Sequence, residues 1–365
     1  MKHVTRSAPL IIIGGGLAGL YSAYLLSRQQ IPYILLEAKA ELGGRISAAT
    51  TDNEHVISYD LGPTWVFPHQ HTLLQLIKTL KLTTFEQYCQ GDVLYQSSAT
   101  TPCQQIPGAG EMQLFRLAGG MHSLIKALYQ QLDPATILTE HAVIALNKQQ
   151  DSWHITAEHH GKLTHFRAQH VIAALPPRMI INHLTPAQWA EHTLLKRLAT
   201  VPTWMAGQAK FIATFEHAFW RDKNLSGQCF SRVGPLVEVH DASAAAHEHP
   251  ALFGFIGIPY SERKQLTNEQ LKHACLKQLA YFYGAQVYNA THCFIKDWAA
   301  DPYVANEQDT IAPSQHPEFS FSGLSAAFTK LNIHFVASEF AQQEAGYLAG
   351  ALSAVDKAMN DLQFT

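Results

Sequence analysis

The chain has 365 residues, 47% of them apolar and 15% charged, with a formal net charge of −3 at pH 7. That length is more than one hydrophobic core usually fills, so two intertwined domains are expected. The slight negative charge removes any electrostatic case for nucleic acid or an anionic membrane surface as a partner.

Residues 9–13, PLIII, are a short run of branched apolar side chains, the pattern of a buried parallel strand. Glycines follow at once. Leu17 to Arg28 reads as a helix with Leu17, Leu20, Tyr21, Tyr24 and Leu25 on one side, and Pro32 stops it. Tyr33 to Leu36 is a second buried strand ending at Glu37, which completes a β-α-β unit. An amphipathic helix is expected over 122–132, then a short strand at 137–140 and another from Val143 to Leu146. Trp153–Ala157 and Leu163–Ala168 alternate like a hairpin about Gly161, and Val171 to Leu175 is a buried strand stopped by Pro176 and Pro177. Gln208 to Phe215 alternates as a strand, 268–284 reads as a helix, Ile333 to Ala337 as a final buried strand, and Gly346 to Leu362 as a final helix. Strands alternating with helices at both ends of the chain indicate the α/β class.

The five cysteines, Cys89, Cys103, Cys229, Cys275 and Cys293, are odd in number and show no C-x-x-C spacing. A disulfide framework or zinc site is not expected, and a reducing cytoplasm is the expected compartment. The histidines are scattered, without an H-x-x-x-H pair beside an acid, so no metal site is expected. Lys2 and Arg6 precede an apolar run, Leu10 to Ile13, that is too short for a secretory signal, and no stretch is long enough to span a bilayer.

Gly14-Gly15-Gly16-Leu17-Ala18-Gly19 fits G-x-G-x-x-G, with a strand before it, a helix starting inside it, and Glu37 ending the next strand 18 positions after Gly19. In that context it is a dinucleotide fingerprint. Gly14 permits the tight turn, Gly16 lets the backbone approach a pyrophosphate, and Gly19 lets helix and strand pack closely. Helix N-terminal N–H groups such as that of Ala18 suit phosphate charge, and Glu37 suits ribose hydroxyls.

The residues that follow carry a resemblance. Leu42-Gly43-Gly44-Arg45 stands after Glu37 in the arrangement E-A-x-x-x-x-G-G-R. Tyr59-Asp60-Leu61-Gly62-Pro63-Thr64-Trp65, Ala118-Gly119-Gly120-Met121, VIAALPP from Val171 to Pro177, Trp298 with Asp301-Pro302-Tyr303, Val336-Ala337-Ser338-Glu339, and Gly346-Tyr347-Leu348-x-Gly350-Ala351 follow in order. Together these resemble the flavin-dependent amine oxidase family over most of the chain.

The resemblance implies a Rossmann-like FAD-binding domain of glutathione-reductase type, made of 1–68, 117–182 and 298–365, with a discontinuous α+β substrate domain of 69–116 and 183–297. It implies noncovalent FAD held by Gly14, Gly16, Ala18, Gly19, Glu37, Lys39, Gly44, Arg45, Gly62, Pro63, Thr64, Val143, Trp298, Glu339, Gly346, Tyr347 and Leu348. In the family the arginine reaches the cofactor phosphates, the valine backbone contacts adenine, and the glutamate binds the ribityl chain. The glycine-rich helix start at Gly346 faces the flavin pyrimidine ring, where a helix N-terminus stabilises negative charge.

Lys210 sits in the apolar stretch QAKFIATF, where a lysine is costly to bury unless something uses it. Alternation puts Gln208, Lys210 and Ile212 on one face. By residue chemistry alone a structural, carboxylate-paired lysine is an equal reading. Lys210 resembles the family lysine that holds a water against flavin N5, and Phe219-Trp220 fixes that register. Tyr347 resembles one wall of the aromatic cage that orients the amine.

The chain also departs from the family. The attachment cysteine that several members carry would fall near Glu307, and the second cage ring near Gln308, so the cage needs Trp65, Trp204 or Trp298 to complete it. Trp65 stands where members acting on free amino acids carry a carboxylate-binding arginine, which favours an amine. The stretch from Trp65 to Gly119 is short, implying a reduced cap open to a small or carrier-held amine. The implied function is FAD-dependent oxidation of an amine by hydride transfer to flavin N5, with oxygen as acceptor and hydrogen peroxide as product. Two alternatives stay open: dehydrogenation or desaturation of a hydrophobic natural product, and a non-catalytic flavin-binding assembly protein.

Overall fold

The computed structural model describes the chain except residues 1–4, 52–56, 109–112, 312–315, 318–320, 322, 324–327, 329 and 363–365. Lys2, noted above, lies outside the described residues. The central element is a five-stranded parallel sheet in the order Ile137–Leu138, Tyr33–Leu36, Leu10–Ile13, His170–Ala173, Ile333–Phe335. Its strands are buried on both faces, as crossover connections require. The two-residue period shows in the packing. Leu10 and Ile12 join one core with the helices Leu17–Arg28, His122–Tyr129 and Leu348–Asp361. Ile11 and Ile13 join a second core with Leu146, Trp153, Ile155 and Phe166. Those four belong to an antiparallel meander of Ala142–Gln149, Ser152–His159 and Lys162–Ala168, with Thr5–Ser7 added parallel at its edge. The layers are therefore helices, parallel sheet and meander.

A seven-stranded mixed sheet forms the other half, in the order His292–Asp297, Ala209–Thr214, Ala251–Ile256, Leu236–Asp241, Leu225–Ser231, Asp92–Gln96, Gln104–Ile106. Phe211 and Ala213 pack with Leu271, Cys275 and Leu279 of the helix Asn268–Tyr283. That helix starts in a capping box: Gln270 N–H donates to Thr267 Oγ1 at 3.2 Å, and Thr267 N–H donates to Gln270 Oε1 at 2.8 Å. Ile212 points the other way, into a cluster with Tyr59, Leu61 and Phe253.

Two segments that the sequence reading places in the substrate domain contribute residues to the cores around the parallel sheet. Leu73, Leu76 and Ile77 of the helix His71–Thr79 join the first core, and Leu194 and Leu198 of His192–Thr200 join the second. Their apolar spacing marks them as amphipathic helices, but spacing alone does not say which sheet they cover. The final helix begins at Leu348, two residues later than the sequence reading, because Gly346 at φ +89° is still in the turn. Among the described residues no helix is long and apolar enough to cross a membrane.

Candidate active site

A cavity of about 530 Å³ draws its walls from both sheets and from the N-terminal ends of the first and last helices. At one end the glycine loops meet. Gly14 has φ +105°, a left-handed conformation that explains the glycine there. Gly16 forms a parallel bridge to Gly43, and Gly43 N–H donates to Gly15 O at 2.9 Å, so the two glycine turns support each other. A Cβ on Gly19 would lie 1.9 Å from Gly14 O, which shows why the helix tolerates only glycine at that point. Gly19 therefore packs helix on strand and does not itself line the cavity, whereas Gly14, Gly16 and Ala18 do.

Glu37 lines the same end and is 7% exposed. Burial pushes its carboxyl group up, and the N–H groups of Lys39 and Gly15 oppose that shift. Gly15 N–H donates to Oε2 at 2.6 Å and Lys39 N–H to Oε1 at 2.9 Å. Each oxygen keeps a second lone pair, which vicinal ribose hydroxyls could use. Val143 and His141 complete this end, and Lys39 lines it while its Nζ pairs with Asp301 at 2.5 Å. Apolar walls, glycine turns without side chains, a helix N-terminus and a buried carboxylate together fit the nucleotide half of FAD.

Further along, Gly44, Arg45, Gly62, Pro63, Thr64, Trp298, Gly346 and Leu348 line the cavity. Arg45 makes a bidentate pair with Glu339, Nη1 to Oε1 at 2.6 Å and Nη2 to Oε2 at 2.9 Å. Glu339 also accepts Trp204 N–H at 3.3 Å and is 1% exposed. Glu339 therefore holds Arg45 from behind the lining residues. Trp298 Nε1–H donates to Leu61 O at 3.0 Å and so fixes the turn before Gly62.

Lys210 lies at the other end, 2% exposed. Its Nζ donates to Gly62 O at 3.0 Å and to Thr64 Oγ1 at 2.5 Å, and stands 4.1 Å from the Phe253 ring centroid. Burial is the main cause that lowers its pKa to about 7; nearby Asp60 opposes the shift and Arg116 adds to it. A neutral amine has two N–H groups, both used here, and one lone pair left. Trp65 forms a wall of the cavity, its Nε1–H donating to Gln87 Oε1 at 2.9 Å. Tyr347 is flanked edge-on by Phe67 at 5.8 Å and face-on by His316 at 4.7 Å, and His316 also stacks on Trp204 at 3.5 Å.

Sequence reading thus found most of the wall. Of its site residues only Gly19 and Glu339 fall outside the lining. Glu307 and Gln308 do not line the cavity, and neither does any of the five cysteines, all of which are free. Of the rings named as completing a cage, Trp204 is joined to Tyr347 through their shared neighbour His316. Sequence reading missed Phe67, Phe255 and Glu238. The last had a signal, a carboxylate between two valines in the strand LVEVHD.

The model of the family described as flavin containing amine oxidoreductase matches residues 17–107 and 86–358. An amine oxidase [flavin-containing] A of Equus caballus is 22% identical over 97% of this chain and 84% of its own length. A putrescine oxidase of Kocuria rosea is 21% identical over 81% of this chain and 84% of its own. Among solved structures, a cyclohexylamine oxidase from Brevibacterium oxydans superposes with a TM-score of 0.80 at 17% identity, covering 97% of this chain and 98% of its own. Putrescine oxidase bound to putrescine superposes with a TM-score of 0.78 at 18% identity, covering 98% and 99%. The family match, the shared fold and the nucleotide-shaped cavity lead to one conclusion: this chain belongs to the flavin-containing amine oxidoreductases and is an FAD-dependent enzyme.

Proposed function

We propose that the chain oxidises an amine with oxygen as the final acceptor, releasing hydrogen peroxide. The observation that carries this reading is Lys210, a lysine without a carboxylate partner among the described residues, buried where glycine, threonine and aromatic walls meet. Bound FAD supplies the hydride acceptor and the path of electrons to oxygen. The chain supplies the rest. The glycine turns and Glu37 bind the nucleotide end, and Arg45, braced by Glu339, presents a cation to the phosphates. Lys210, with its lone pair free of the Gly62 and Thr64 bonds, holds a water at the reacting end. Trp65, Tyr347 and Phe255 exclude bulk water and orient the neutral amine.

The absence of cysteine from the cavity wall supports noncovalent FAD. Five free thiols suit a reducing cytoplasm. Arg45 is the one guanidinium lining the cavity among the described residues, and Glu339 engages it. A free amino acid would therefore lose water from its carboxylate without gaining a partner, so an amine is the better substrate. The test is a balance sheet in air: a primary amine and water should give aldehyde, ammonia and peroxide in equal amounts. Aldehyde without peroxide would refute oxygen as acceptor.

A further inference from the structure

We infer that Gln87 is a specificity-determining positioning residue: it keeps the indole N–H of Trp65 turned away from the substrate, so that this wall offers ring carbons to an amine with an apolar body. This deepens the amine-oxidising reading above and rests on it. Trp65 lines the cavity and Gln87 does not, so Gln87 acts through the indole. Gln87 is 4% exposed. Its Nε2 donates to Tyr88 O and to Asp241 O, both at 2.9 Å, and its Oε1 accepts Trp65 Nε1–H at 2.9 Å. An amide nitrogen carries two protons, and two carbonyls take them here. Those carbonyls fix which end of the amide is which, and the oxygen is left facing the indole. Tryptophan has a single donor, Nε1–H. With it spent on Gln87, Trp65 has none to give a ligand.

Both residues are tied to one strand. Gln87 follows Thr84–Glu86, which pairs antiparallel with Phe115–Leu117, and Gln87 N–H donates to Leu114 O at 2.8 Å. Val66, next to Trp65, exchanges two backbone bonds with Phe115, at 2.8 and 3.0 Å. The far acceptor is equally fixed. Asp241 is 1% exposed; its Oδ2 accepts Trp220 Nε1–H at 2.9 Å and Arg221 Nη2–H at 2.7 Å, and its Oδ1 accepts Ser243 N–H at 2.9 Å. The indole packs edge-on to His240 at 4.8 Å and tilted on Phe253 at 5.6 Å. Phe253 stands 4.1 Å from Lys210 Nζ, and Thr64, the residue before Trp65, accepts from that Nζ. The orientation of Trp65 is thereby tied to the lysine as well as to the wall. A buried amide with both protons and its oxygen engaged is costly to break, so the indole keeps one orientation.

A double-mutant cycle tests this. Gln87→Met keeps the length of the side chain and removes the acceptor. Its kcat/KM for an arylalkylamine should fall about tenfold, through KM more than kcat, because a buried N–H is orphaned and the ring turns to find a partner. Gln87→Asn, which keeps the amide but withdraws it by one methylene, is the milder variant and should act in the same direction. In a Trp65→Phe background, which has no N–H to hold, Gln87→Met should change kcat/KM by less than about twofold. A glutamine that only fastens its turn to Asp241 would lower both backgrounds alike, and that result, at wild-type flavin content, would overturn the proposal. A readout without substrate separates it from the amine reading. Fluorine NMR of 5-fluorotryptophan-labelled holoenzyme follows the six tryptophans, and the Trp65 line is the one missing from Trp65→Phe. Gln87→Met should displace that line more than those of Trp153 and Trp298; an unmoved Trp65 line would also overturn the proposal. Failure of every amine to be oxidised would sink the amine reading instead, and the fluorine line would still report on Gln87.

Discussion

In the proposed reaction Lys210 concentrates the chemistry of the site in one side chain. Its amine is desolvated, its pKa falls to about 7, and its two N–H groups are spent on Gly62 and Thr64. Replacement by Met keeps the apolar stem and removes the nitrogen. Lys210→Met should retain FAD and slow reoxidation of the prereduced enzyme by about tenfold or more, about 1.4 kcal/mol in the barrier. Stopped-flow mixing with oxygen measures this, and an unchanged rate would make Lys210 a structural residue. The same variant has a stability signature. Between pH 7 and the ordinary lysine value of 10.5 the unfolded chain holds a proton that the native chain has lost. Raising the pH through that window therefore favours the native state. Thermal melts should show the wild type gaining on Lys210→Met from pH 7 to pH 10; a constant gap would contradict the lowered pKa. The lysine was legible in sequence because a cation in an apolar strand is costly. Glu238 was not singled out, because its place on the cavity wall depends on the register of Leu236–Asp241 against Ala251–Ile256.

Elements were read most safely where period and punctuation agree. Leu17–Arg28 matches its sequence bounds because the glycine fingerprint opens it and Pro32 follows. The helices His71–Thr79 and His192–Thr200 were not read from sequence, and amphipathic spacing is silent about which sheet receives the apolar face. Glu339 shows a similar limit. Its strand end was recognised, but only packing reveals that Arg45 takes both carboxylate oxygens. At this scale the firmest prediction concerns Gly19. A methyl group there meets Gly14 O at 1.9 Å, backbone that cannot swing aside. Gly19→Ala should push the helix from the strand, cost at least about 1–3 kcal/mol of stability, and weaken FAD binding. Melting temperature and bound flavin per chain report both effects. A variant matching wild type in both would show that the turn relaxes freely.

At the scale of the molecule, the parallel sheet with its glycine turns builds the nucleotide end, and the seven-stranded sheet carries Lys210, Phe255 and Glu238 to the other end of one cavity. The glycine turns of the nucleotide end were legible as sequence motifs. The side of the cavity facing substrate was not, because long-range strand pairing assembles it. The most direct test of the account is to mix the holoenzyme anaerobically with an amine, and separately with the free amino acid of the same side chain, then admit air. The account predicts that the amine removes the yellow absorbance, that the free acid does so about tenfold more slowly or worse, and that air restores the colour with one peroxide per flavin. Equal or faster loss of colour with the free acid, or none with any amine, would contradict it.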